Sequence, residues 1–77
     1  MNTTINERFR IMIETIAPST CNFAVCMGVS PTVIYNVVKG RNEPSFKLLR
    51  KVALTYPVVN LRWLVLGLGD VLNEQTE

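Results

Sequence analysis

The feature that most constrains this chain is its punctuation. Pro18, Gly28, Pro31, Gly40, Pro44, Pro57 and Gly67 cut it into short segments. Proline cannot continue a helix past its first turn, and glycine readily takes the left-handed backbone that ends one. Between the breaks the apolar residues recur every three or four positions instead of alternating, so each segment predicts a short helix and none predicts a strand. Ile5, Phe9, Met12, Ile13 and Ile16 form one stripe, and Thr4 with Glu7 makes a capping box, predicting a helix over 5–16 that stops before Pro18. Ser19 caps a second helix over 20–27 with Phe23, Ala24 and Met27 inward, stopped by Gly28. Val29 then plugs the core at the turn. Ser30 and Pro31 open a third helix that puts Ile34 and Val37 inside and ends at Gly40. Pro44-Ser45 opens a fourth over 46–55, with Leu48, Leu49, Val52 and Ala53 inward and Lys47, Arg50 and Lys51 outward. Asn60 caps a fifth over 61–66, closed by Gly67. The tail from Gly69 is expected to fray.

Seventy-seven residues make one domain whose helices must share a single core, and 48% apolar residues are enough to build it. The expected fold is therefore all-α, a bundle of five helices joined by short loops. No ligand-sensing or self-cleaving domain is expected in a chain of this length. Regulation is expected from concentration, binding-site arrangement or a partner.

The net charge is only +2, but it is unevenly spread. Residues 39–62 hold Lys39, Arg41, Lys47, Arg50, Lys51 and Arg62 against Glu43 alone, while the chain beyond them holds Asp70, Glu74 and Glu77. A basic segment beside an acidic one points to a polyanion on one face, or else to an ordinary solvated helix surface. Cys21 and Cys26, with no histidine, cannot complete a tetrahedral metal site, and five positions apart on a helix they cannot bridge. They read as reduced thiols. No metal or cofactor is expected, and neither is a signal peptide. The most apolar run, 61–72, is interrupted by Arg62 and Asp70 and too short to span a bilayer, so a cytoplasmic location is expected. With no histidine, no carboxylate pair at useful spacing and no phosphate-cradling glycine loop, an enzyme is not expected.

The stretch from Ser19 to Ser45, STCNFAVCMGVSPTVIYNVVKGRNEPS, resembles the helix-turn-helix core of the lambda-repressor-like, Cro-type (XRE) DNA-binding family. Ala24, Gly28, Val29, Ile34, Val37, Gly40 and Pro44-Ser45 stand where that pattern has its small residue, turn glycine, apolar plug, paired core residues and following loop. The first helix is similar to the family's, and NLRWLVLGLGD resembles the last helix of small bacterial members; the similarity spans about Ile5 to Asp70. It implies a bacterial or phage transcriptional regulator, expected to be a repressor, that binds double-stranded DNA with the helix over 31–38 in the major groove.

The resemblance also implies roles for single residues. Thr32 and Asn36 would read bases, with Pro31, Val33 and Tyr35 adjacent; Asn can pair bidentately with adenine, and a Thr methyl can meet a thymine methyl. Lys39, Arg41 and Asn42, with Lys47 further off, would hold phosphates and fix register. Ser19 and Thr20 begin the second helix, whose amides favour a phosphate, although Thr20 replaces the family's usual Gln. Trp63, Val65, Leu66 and Leu68 would join two copies into a homodimer matching half-sites about 34 Å apart. A second departure is that 20–38 carries no charge at all, where the family usually has charged or Gln residues outside its second helix. That leaves two rival readings: an antitoxin of the same fold with a toxin partner, and a protein-interaction module that no longer binds DNA.

Overall fold

A computed structural model describes residues 3–73. It contains five helices: α1 (Ile5–Ile16), α2 (Thr20–Met27), α3 (Pro31–Val38), α4 (Phe46–Thr55) and α5 (Leu61–Leu66). The protein is all-α, and no helix among the described residues is long and apolar enough to cross a membrane.

Each boundary has a local cause. The Glu7 amide donates to Thr4 Oγ1 at 3.1 Å and the Thr4 amide to Glu7 Oε1 at 2.8 Å, which completes the capping box. Ser19, Ser30, Ser45 and Asn60 accept from orphan amides at the starts of α2, α3, α4 and α5. At the end of α2, Gly28 takes φ +70°, so the Gly28 and Val29 amides fold back onto Val25 and Ala24. Gly40, at φ +81°, does the same for α3, with its own amide on Val37 and that of Arg41 on Asn36.

The core is Phe9, Met12 and Ile13 of α1, Phe23, Ala24 and Met27 of α2, Ile34 and Val37 of α3, Leu48 and Val52 of α4, Val59, and Leu64 of α5. Leu49 and Trp63 pack against it only partly buried. Phe23 is the hub. It meets Phe9 edge-on at 5.9 Å and stacks on Tyr56 at 5.5 Å, arrangements that suit the ring quadrupoles. α1 packs on α2, α3 and α5, and α2 packs on α3 and α4.

Two features depart from expectation. Arg8, which no sequence pattern marks as part of the core, is buried. Its Nε and Nη2 donate to the carbonyls of Leu64 and Val65 at 2.9 and 3.1 Å, and Nη1 donates to Thr3. α5 explains the arrangement. It ends at Gly67 (φ +80°), whose amide returns only to Trp63, so the next two carbonyls need another donor and a cation at a helix C-terminus supplies it. Secondly, the tail does not fray at Gly69. Val71 and Leu72 pack against the core, and Leu72 bridges Val59 in antiparallel pairing. Asn60 donates its backbone amide to Val71 and its side-chain amide to Asp70 O, while Asn73 donates to Pro57, Val58 and Val59. The fraying expected beyond Asn73 lies outside the described residues.

Candidate nucleic-acid interface

α3 stands on Ile34 and Val37, both fully or nearly fully buried, and on the partly buried Val38. Helical geometry therefore turns Thr32, Tyr35, Asn36 and Lys39 to the opposite side, because three- and four-residue steps share a face. Pro31, Thr32, Val33, Tyr35 and Lys39 are exposed and Asn36 is half-buried. The small Ala24 is completely buried in α2, the helix that packs against α3. This leaves one face of a short helix free of other elements.

The turn after α3 is fixed from outside. Asn6, on α1, donates its side-chain amide to Val37 O at 2.9 Å and to Asn42 O at 2.7 Å. Together with the backbone bonds of Gly40 and Arg41, this anchors the segment that carries Lys39, Arg41 and Asn42 outward. Arg41 Nη1 donates to Asn36 Oδ1 at 3.2 Å. The guanidinium expected to hold a phosphate is thus linked to a side chain of the helix face itself.

A second basic element borders α3 on another side. Lys47 and Lys51 of α4 line a hollow of about 240 Å³ with Val29, Val33, Ser45 and Leu48. Lys47 is exposed and Lys51 half-buried, and both share this hollow with Val33 of α3. The residues of α3 itself are therefore uncharged, and cations stand at its C-terminal end, with Lys39 continuing the outer face, and beside Val33. Glu43, also exposed, is the acidic residue of this loop.

At the start of α2, Ser19 Oγ already accepts the Asn22 amide at 3.0 Å, leaving its own O–H proton to donate outward. Thr20 is half-buried. The outer side of α2 exposes Cys21, Asn22, Val25 and Cys26; both thiols are free, and Val25 is 71% exposed. The Tyr56 phenol is pushed above its ordinary pKa of 10.0 by burial first and by the neighbouring Cys26 thiol second. Among the described residues no group of three or more His, Cys, Asp or Glu is placed to hold a metal ion.

The residues expected to pair two copies divide. Trp63 is partly buried against the core and helps close it. Val65, Leu66 and Leu68 are exposed, and Val65 adjoins a second hollow of about 430 Å³ lined by Phe46, Leu49, Arg50, Ala53 and Leu61. Phe46 is 77% exposed, with the Arg50 guanidinium 5.9 Å from its ring centre. Asn6, Lys51 and Phe46 were not singled out by sequence reasoning. The charge count pointed to Lys51, but nothing in the residues adjoining Asn6 pointed to its role.

No family model, curated protein or solved structure matches this chain.

Proposed function

We propose that this protein binds double-stranded DNA in a sequence-dependent way and acts as a small transcriptional regulator, with α3 lying in the major groove. The observation that carries the reading is the free face of α3, with Thr32, Tyr35 and Asn36 outward over a buried Ile34–Val37 base and cations on two sides. Neutral donors and acceptors on a narrow helix suit base edges, whose pattern in the major groove distinguishes all four pairs. Lys39, Asn42 and Lys47 suit the backbone, where contacts set register without reading sequence. In this reading Pro31 and Val33 border the bases, and Ser19 and Thr20 bring the start of α2 to a phosphate. Val65, Leu66 and Leu68 form the contact between two copies, continuous with the hollow beside Phe46.

The test is selection from a random duplex pool with purified protein, with affinity of the selected duplexes followed against salt. Enrichment of a two-fold symmetric motif, bound with steeply falling affinity as salt rises, is the expected result. Absence of enrichment, with no binding even at low salt, would overturn the reading. The result would then favour a protein-interaction module, for which the exposed and uncharged outer side of α2, Val25 above all, is the supporting observation.

A further inference from the structure

Asn36 was expected to pair with adenine as donor and acceptor at once. Its contacts argue otherwise. A guanidinium has five donors and no acceptor. The group Asn36 turns toward Arg41 Nη1, 3.2 Å away, must therefore be its oxygen, and the amide nitrogen must point away from Arg41. This fixes the orientation of a carboxamide whose two ends otherwise look alike. Arg41 is held for the task by its backbone. Its amide donates to Asn36 O at 2.9 Å, Gly40 reverses the chain at φ +81°, and Asn6 secures Asn42 O from α1. The two side chains leave one helix end as a single unit. Their outward groups are mainly donors, the Asn36 Nδ2 hydrogens and the remaining Arg41 N–H groups, while the second lone pair of the Asn36 oxygen lies beside the guanidinium.

We infer that Asn36 and Arg41 together read a guanine, with Arg41 both positioning the Asn36 carboxamide and supplying a second donor. This rests on the DNA-reading proposal above. Guanine offers two acceptors, N7 and O6, side by side in the major groove; adenine offers N7 beside an amino donor. A pair rich in donors matches the first edge. On adenine, the amino group would have to share the Asn36 oxygen with Arg41 and would face the remaining Arg41 donors, a poorer match than two acceptors.

The experiment compares wild type, Asn36→Ala and Arg41→Ala by pool selection, followed by competition between duplexes differing at one base pair. Asn36→Ala identifies the position by weakening preference there. At that position wild type is expected to favour guanine over adenine by about tenfold or more. Arg41→Ala frees the Asn36 oxygen, and preference is expected to move to adenine. General weakening or a loss of stability cannot produce that switch of base, and the melting temperature of Arg41→Ala should stay near wild type because the backbone bonds of the turn remain. Adenine preferred by wild type at the Asn36 position, or guanine still preferred by Arg41→Ala, would overturn the inference while leaving DNA reading intact. No motif selected by wild type would sink both.

Discussion

At the scale of single residues, the strongest constraint is Arg8. A cation without an acidic partner is costly to bury, and here carbonyl oxygens and the Thr3 hydroxyl satisfy it. Arg8→Met would keep much of the volume and strand the Leu64 and Val65 carbonyls. Denaturant unfolding should show a loss of roughly 2–4 kcal/mol. Arg8→Lys should recover only part of it, since an ammonium lacks the planar fork that reaches several acceptors at once. Tyr56 gives a second residue-level test. Its raised pKa means the folded state holds the phenolic proton more tightly than the unfolded chain does. Its contribution to stability is therefore complete below pH 10 and declines as pH rises through and above the ordinary tyrosine range. The chain has two tyrosines, so in Tyr35→Phe the ultraviolet phenolate titration reports Tyr56 alone. A midpoint at or below 10 would mean that neither burial nor Cys26 holds the phenolic proton.

At the scale of elements, the helix ends make a comparable pair. Gly40 and Gly67 share almost the same positive φ, but a methyl group at Gly40 meets nothing within 4 Å, while at Gly67 it would lie 3.2 Å from Arg8 Nη1. Gly40→Ala should lose only the cost of a left-handed backbone, roughly 1–2 kcal/mol. Gly67→Ala should lose visibly more, because it also displaces the guanidinium that covers α5. Equal losses in parallel denaturation curves would mean Arg8 moves aside freely. The contrast also explains what could be read in advance. All five helices appear over the residues their caps and breakers predicted, because Thr4, Ser19, Ser30, Ser45, Asn60 and the glycines act on amides and carbonyls a few positions away. Arg8 and Asn6 escaped because their partners are carbonyls 56 and 31 residues distant, and a carbonyl leaves no mark on residue type. The free face of α3 was legible from the Ile34–Val37 spacing. The pairing of Asn36 with Arg41 was not, since both residue types also suit open solvent.

At the scale of the whole molecule, the tail completes the core. Val71 and Leu72 cover it beside α5, and Asn60 and Asn73 tie the strap to the α4–α5 connection. A chain ending at Leu68 should lose this cover, and its thermal midpoint should fall by several degrees, as a loss of about 1 kcal/mol shifts a domain of this size by 4–8 °C. The charge distribution acts at the same scale. Lys47→Ala should weaken binding to every duplex alike and reduce the slope of log affinity against log salt by about 0.9 in magnitude, the share of one phosphate contact. A loss confined to one sequence would instead make Lys47 a reader.

The attachment of Asn6 has a consequence for modularity. The outer face of α3 and its turn look like a self-contained cassette between Ser19 and Ser45, yet the clamp on that turn comes from the opposite end of the chain. Neighbouring Arg8 on the same helix holds the far side of the bundle. α1 thus serves as a jig against which both the outer surface and the last helix are set. A peptide or graft carrying the cassette alone would keep Thr32, Tyr35, Asn36, Lys39, Arg41 and Asn42 and lose the part that sets their spacing, so the specificity of this surface should not travel without the first helix.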